Sequence, residues 1–396
     1  MRIGLFGGSF DPVHKGHVSI VNGALRSGLV DIVIVIPAVI NSFKQGKILL
    51  PAPYRYYMAK DVFESGNVFV SDIEYKIEGV SYTAKTLELL TDRDHIVPFL
   101  EEKGIKAKKA KEEHSYFWIC GSDILPSFMS WYKPEVVLSY VTLLVAKRPG
   151  SAFTVPEELK DHIIPFDIEE IEAASSDIRR KGDLENVPES AVDFIRLHNL
   201  YELPNPLDQV SEQAYVNFCE CAVRMYFILG RKRLLHTLNV GILSCKLAGI
   251  FGVDVDKALI AGAVHDCAKE LPIKVQQELA YKVSGDTFTD EKLLHSPAGA
   301  YYAKEHFGID DQEILDAVTY HTTGKGDMTD LEKIVFLADK IEPSRNYTDL
   351  SEIRAVSLKD LDKATAMCVK AVKAKFESKN RPIHPLTSAF MEQLGI

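Results

Sequence analysis

The stretch Gly7-Gly8-Ser9-Phe10-Asp11-Pro12-Val13-His14-Lys15-Gly16-His17 joins the apolar run RIGLFGG (2–8) to the helical pattern VSIVNGALRSG (18–28). A short apolar run, a glycine pair and a helix start in succession read as the strand–turn–helix opening of a parallel sheet. Gly7 and Gly8 let the backbone approach an anion closely, and the helix N-terminus beyond them offers free N–H groups and a positive dipole end. His14 and His17, three residues apart at the helix start, lie on one side of it and reach the same phosphate. Gly16 between them removes bulk where a base or ribose would pass. Two capping histidines alone would explain neither the glycines nor the spacing.

Outward from this turn the same grammar repeats. DIVIVIP (31–37), NVFVSDI (67–73), YFWICG (116–121) and VTLLVAK (141–147) are short and almost wholly apolar, as strands buried on both faces are. Helical stretches such as PYRYYMAKDVFES (53–65) and SYTAKTLELL (81–90) lie between them. Strands alternating with helices predict a Rossmann-like, doubly wound parallel sheet over residues 1–203. The proline-containing segment 204–210 reads as a linker. From 211 to 396 helical periodicity dominates, so a multidomain chain, α/β followed by all-α, is expected. The charged run EEKGIKAKKAKEEH (101–114) reads as a solvated insertion.

At 396 residues the chain accommodates two domains, and 46% hydrophobic with 26% charged residues is ordinary globular composition. A net charge of −10 weighs against a nucleic-acid binder yet leaves room for small anionic ligands in a local basic pocket. No segment approaches the roughly 18 apolar residues that cross a bilayer. The six scattered cysteines read as buried free thiols in a reducing compartment, and a cytoplasmic chain is expected. No pattern announces the oligomeric state.

The string GGSFDPVHxGH resembles the signature of the HxGH nucleotidyltransferases, which move a nucleoside monophosphate from a triphosphate. Ser81-Tyr82-Thr83, Gly121-Ser122-Asp123, Trp131-Tyr132 and Ala174-Ser175-Ser176-Asp177-Ile178-Arg179 are similar to further segments of the bacterial nicotinate-mononucleotide adenylyltransferases. The resemblance implies attack of the nicotinate mononucleotide phosphate on the α-phosphorus of ATP, with Mg²⁺ on the leaving oxygens. It implies contacts to ATP from Gly7, Gly8, Ser9, Phe10, His14 and His17, with His17 donating to the α-phosphate. Arg179 would hold the β- and γ-phosphates, with Ser175, Ser176 and the Ile178 backbone beside it. Ser81, Tyr82, Thr83 and Trp131 would serve the acceptor side, Trp131 stacking on the pyridine ring or packing in the core, and Gly121 and Asp123 would bind substrate or nucleotide. Lys44 would meet a substrate phosphate, although the loop after Pro37 departs from the family's pattern. Nicotinamide mononucleotide, phosphopantetheine or a cytidylyl acceptor stay open as alternatives.

In the helical half, His236 is expected to begin a helix after RKRLL, His265-Asp266 to sit inside the apolar helix ALIAGAVHDCAKEL, and His295, His321 and Asp339 each interrupt apolar sequence. Adjacent ionisable groups in such surroundings are costly unless paired or metal-bound, and imidazole with carboxylate suits Fe, Mn, Co or Zn. The order H…HD…H…H…D resembles the two-metal HD phosphohydrolases, and HDCAKELP, LLHSPAGAYYAKEHFGI and YHTTGKGDMTDLEKIVFLADKIEPSR resemble the symmetrical diadenosine tetraphosphatases. This implies hydrolysis of diadenosine tetraphosphate to two ADP with two divalent transition metals, Fe, Mn or Co. His236, His265, Asp266 and Asp339 are assigned to one ion, and His295 and His321, sharing Asp266, to the other. Lys269, one turn beyond the His-Asp pair, and Arg345 are expected on phosphate. A nucleotide-sensing module without turnover is the competing reading of this half.

Overall fold

The computed structural model describes residues 1–40, 48–147, 154–169, 171, 173–346, 349–380 and 382–396. The chain forms two compact units, Met1–Arg196 and Leu197–Ile396.

In the first unit β1 (Arg2–Gly8), β2 (Ile32–Pro37), β3 (Val68–Val70), β4 (Ser115–Gly121), β5 (Val141–Lys147) and β6 (Ile163–Asp167) make one sheet, ordered β3-β2-β1-β4-β5-β6. Every neighbouring pair is parallel. Parallel neighbours need crossovers, and helices supply most of them. They are α1 (Lys15–Arg26), α2 (Ala52–Phe63), α3 (Thr83–Thr91), α4 (Arg93–Glu102), α5 (Ala107–Ala110) and α6 (Pro134–Tyr140), while α7 (Ser175–Lys181) and α8 (Glu189–His198) follow the last strand, the final two residues of α8 belonging to the second unit. Ile3, Leu5, Ile34, Ile36, Leu143 and Val145 meet Leu87, Leu90 and Phe128 in one core. The five expected strands are all present. The sixth, β6, is an edge strand whose Pro165 cannot donate to a ladder, so its sequence carries no continuous apolar run.

Chain order reverses between β1 and β4, which lie side by side. Open α/β sheets bind ligands in the crevice at the carboxyl ends of such strands. The 7–17 turn leaves β1 at this place. Gly7 has a packing reason as well as a functional one, since a Cβ there would lie 2.6 Å from the Trp118 ring. The 101–114 segment is only partly a solvated insertion: it holds the end of α4 and all of α5, and Ala110 is fully buried in the core.

The second unit contains no strand among its described residues. Its helices are α9 (Glu212–Tyr226), α10 (Arg231–Phe251), α11 (Val255–Val264), α12 (Ile273–Ser284) and α13 (His295–Phe307). They continue as α14 (Gln312–Tyr320), α15 (Asp330–Ile341), α16 (Ser351–Ser357), α17 (Leu361–Ser378) and α18 (Pro385–Gln393). The segment 204–210 belongs to this unit: Pro206–Gln209 forms a short 3-10 turn, and Leu207 is buried. One expectation needs correcting. By length and composition α10 is apolar enough to cross a membrane, but it is the core helix here, with 67% of its apolar window buried. The six cysteines are free, and all but Cys219 are buried.

Candidate active sites

At the first site, His14 caps α1 and its backbone N–H donates to His17 Nδ1 at 3.1 Å, so the two imidazoles stack 3.6 Å apart. The spacing of three therefore does bring them to one place. Gly16 makes that stack possible, because a Cβ there would lie 3.0 Å from His14 Nδ1. Phe10 adopts a left-handed backbone with φ 50°, and its buried ring meets His17 edge-on at 5.0 Å. Any nucleotide contact from Phe10 would thus come from its backbone, while its ring backs His17. Ser9 is buried as well.

Arg179 reaches the same turn: its Nη1 donates to the Asp11 carbonyl and lies 3.7 Å from Asp11 Oδ2. Ser175 Oγ donates to the Pro12 carbonyl at 3.0 Å, and the backbone N–H of Lys15 donates to Asn186 at 2.8 Å. The start of α7, with Ser176 and the buried Ile178, is thereby docked on the 11–15 turn. Arg55 was missed in the sequence, where PYRYYMAKDVF suggests a solvent-facing charge. It is buried and donates to the carbonyls of Leu50, Ser9, Ala38 and Val39. One guanidinium therefore ties the ends of the β1 and β2 loops together.

A second cluster lies after β2. The Ser81 N–H donates to the Ile40 carbonyl at 2.9 Å, and the Ile40 N–H donates back to Ser81 Oγ at 3.2 Å. Tyr82 caps α3, whose first residue is Thr83, and stacks on Tyr132 at 4.5 Å. Trp131 is half-buried on the core beside Phe128, with ring centroids 4.9 Å apart. Asp123 lies in the first turn of the 3-10 segment Ser122–Ser130 after β4, and its carboxylate sits where a Cβ on Gly121 would stand. Glu74, also missed, accepts from the Val39 N–H at 3.1 Å and the Thr86 hydroxyl at 2.9 Å. Burial pushes its carboxyl up against the pull of Ser81, Thr86 and Val39. Lys44 lies outside the described residues.

The second site gathers at helix ends. His265 and Asp266 were expected inside a helix, but α11 stops at Val264 and both follow it. His236 was expected to begin a helix, yet it lies in the second turn of α10. His295 opens α13, His321 caps α14 and Asp339 sits near the end of α15. His236 Nε2 lies 3.1 Å from Asp339 Oδ1 and 3.8 Å from Asp266 Oδ2. His265 Nε2 is 3.6 Å from both of those oxygens. Asp266 Oδ1 is 3.3 Å from His295 Nε2 and 3.5 Å from His321 Nε2. All six predicted ligands converge.

These donors fit a cation. His265 Nε2 and Asp266 Oδ1 are buried without a hydrogen-bond partner, an arrangement that is costly unless something else satisfies them. His265 and His321 donate through Nδ1 to the carbonyls of Gly262 and Val318, both at 2.7 Å, so each offers its Nε2 lone pair inward. Burial lowers the His265 imidazole, favouring the neutral ligand form. Burial alone would raise the Asp266 carboxyl, but the imidazoles of His265, His321 and His295 hold it well below the ordinary range. His236, His265 and Asp339 form one compact donor set, and His265, Asp266 and His321 a second.

Basic side chains ring the cluster. Lys269 Nζ lies 2.8 and 3.0 Å from the two nitrogens of His295, and burial lowers its ammonium. Arg345 Nη2 donates to Asp339 Oδ1 at 2.8 Å. Arg233, not singled out in the sequence, donates to Asp266 Oδ2 at 2.5 Å. It stands three residues before His236 on α10, so helical spacing could have found it.

A doubly wound sheet with a histidine pair at its first crossover, followed by a helical unit with a six-donor centre, defines a nucleotidyltransferase joined to an HD-type phosphohydrolase. Residues 5–181 match the cytidylyltransferase-like family model and residues 233–344 the HD domain model. The chain is 37% identical to "Bis(5'-nucleosyl)-tetraphosphatase, symmetrical" of Halalkalibacterium halodurans, over 42% of this chain and 90% of that one. It is 34% identical to "Probable nicotinate-nucleotide adenylyltransferase" of Clostridium novyi, over 50% of this chain and 98% of that one. It is 25% identical to "Probable nicotinate-nucleotide adenylyltransferase/Ap4A hydrolase" of Mycoplasma pneumoniae, over 93% of this chain and 98% of that one. The chain belongs, in its first unit, to the nicotinate-nucleotide adenylyltransferase family and, in its second, to the family of symmetrical bis(5'-nucleosyl)-tetraphosphatases.

Proposed function

We propose that the first unit transfers the adenylyl group of ATP to nicotinate mononucleotide, and that the second hydrolyses diadenosine tetraphosphate to two ADP with divalent metal. The convergence of four imidazoles and two carboxylates in the second unit carries the hydrolase reading. The stacked His14–His17 pair facing the end of β1 supports the transferase. Free, mostly buried cysteines are in keeping with a cytoplasmic setting for both reactions.

In the transferase, a phosphate oxygen of the mononucleotide attacks the α-phosphorus, that P–O bond forms, the bond to the bridging oxygen breaks, and pyrophosphate leaves. Catalysis is then positioning and charge stabilisation. His17 donates to the α-phosphate, His14 fixes His17, Arg179 takes the terminal phosphates, and Mg²⁺ accompanies ATP to offset its charge. Lys44 is assigned to a substrate phosphate. Ser81, Tyr82, Thr83 and Trp131 take the pyridine ring, held in place by Glu74. Replacing Glu74 with Gln sets an amide N–H against the donors Val39, Ser81 and Thr86. The expected result is a KM for nicotinate mononucleotide raised about tenfold or more, from the loss of charged hydrogen bonds. The KM for ATP should stay near its original value, and steady-state kinetics with each substrate varied checks this.

In the hydrolase, a bound divalent ion supplies Lewis acidity to a phosphate oxygen and to the attacking water. His236, His265, Asp266 and Asp339 would hold one ion, of iron, manganese or cobalt type by their nitrogen and oxygen donors. His295 and His321, with Asp266 Oδ1, would hold a second. Arg233, Lys269 and Arg345 offset the charge of the polyphosphate. The Lys269 ammonium against His295 favours a second reading, in which one ion suffices and His295, His321 and Lys269 grip a substrate phosphate. Metal analysis of the full chain, paired with ADP release from diadenosine tetraphosphate, decides: two ions per chain support the first division and one supports the second. Bound metal with no ADP release would make this unit a nucleotide sensor.

A further inference from the structure

We infer that Glu342, Asn239 and His198 form a buried outer shell that aims His236 at the metal centre and sets how tightly the second unit holds its ion. This rests on the metal-dependent reading above. His236 donates through Nδ1 to Glu342 Oε1 at 3.1 Å. Asn239 Nδ2 donates to Glu342 Oε2 at 2.8 Å and to His198 Nδ1 at 2.9 Å. Ser344 completes the carboxylate's shell, its N–H at 2.7 Å and its hydroxyl at 2.6 Å. His198, His236, Asn239 and Glu342 are 7%, 5%, 2% and 1% exposed.

Three of the four imidazoles are anchored through Nδ1, in two different ways, while His295 lies against Lys269. His265 and His321 lean on backbone carbonyls three residues earlier, so local chain geometry fixes them. His236 instead leans on a carboxylate 106 residues away. Its tautomer and ring angle therefore depend on where Glu342 points. Glu342 stands three residues after Asp339, whose Oδ1 lies 3.1 Å from His236 Nε2. The end of α15 thus grips both nitrogens of one ring. Asn239, three residues after His236 on α10, lies on the same side of that helix. Its two N–H groups are divided between Glu342 and His198, which keeps its amide from turning its oxygen toward the carboxylate. These are positioning residues: a carboxylate behind a ligand histidine selects the tautomer and raises the basicity of the metal-facing nitrogen.

The test measures Mn²⁺ binding to the full-length chain by chelator competition, together with melting of the metal-free protein. Glu342→Gln is expected to weaken Mn²⁺ binding by about 10–100-fold, the usual cost of losing such a partner. Asn239→Leu should weaken it several-fold and His198→Leu less, whereas His198→Gln, which still offers an acceptor, restores affinity. Unchanged Mn²⁺ affinity in a cooperatively melting Glu342→Gln protein overturns the inference. If that variant does not fold, the other three decide, and equal affinities among Asn239→Leu, His198→Leu and His198→Gln overturn it. A wild-type chain that binds no Mn²⁺ or other divalent ion would instead sink the metal reading itself.

Discussion

Asp266→Ala is expected to strip the divalent metal from the second unit and to lower diadenosine tetraphosphate hydrolysis by on the order of 10³-fold or more, since a catalytic ion supplies several kcal/mol. The size of the effect follows from where the carboxylate stands. Oδ2 faces His236 and His265 at 3.8 and 3.6 Å, while Oδ1 faces His295 and His321 at 3.3 and 3.5 Å. Removing it takes a negative charge from both halves of the donor set and leaves Arg233 without the oxygen it now holds at 2.5 Å. The metal-free protein should lose stability as well, because removing one partner of a buried charge pair leaves the other uncompensated. Asp266→Asn, which keeps the shape and an oxygen for Arg233, separates the two effects: its metal-free melting should fall less than that of Asp266→Ala, while the stabilisation gained from added metal disappears. Adenylyl transfer in the same chain should be unchanged. A variant that retains both its ion and its turnover would remove Asp266 from the centre.

Much of this was legible in the sequence because it is local. The 7–17 string specifies a turn, a cap and a histidine pair within eleven residues, and the structure places the two rings in contact. The six donors of the second unit were legible for a different reason: ionisable residues in apolar sequence require partners, and they found one another. What stayed hidden is set by long-range contacts. Glu342 meets His236 across 106 residues and Glu74 meets Val39 across 35. Nothing in the sequence around either glutamate announces its partner. Arg55 was hidden by composition, since an arginine on a tyrosine-rich helix suggests a solvated charge until four backbone carbonyls are seen around it. The stop of α11 at Val264 was hidden because ALIAGAVHDCAKEL has no glycine or proline at the break. There the buried His-Asp pair, whose side chains are needed in the donor cluster, overrides helix propensity.

His17→Ala should lower the kcat of adenylyl transfer by about 10²–10³-fold, the range found when a preorganised donor to a developing oxyanion is removed. The tautomer supports this role. His17 Nδ1 accepts the His14 backbone N–H at 3.1 Å, so in the neutral ring the proton sits on Nε2, the nitrogen left to donate. The ring is held in place before substrate arrives, stacked on His14 at 3.6 Å and backed edge-on by Phe10 at 5.0 Å. A donor fixed in advance costs no reorganisation at the moment of reaction, which is why its loss should appear in kcat more than in the KM for ATP. The capping hydrogen bond is lost as well, but a helix cap contributes only about 1 kcal/mol, so the first unit should stay folded. Hydrolysis by the second unit serves as the internal control and should be unaffected. If kcat held steady while only the KM for ATP rose, His17 would be a ground-state phosphate contact and the transition-state donor would have to be sought elsewhere around the β1 turn.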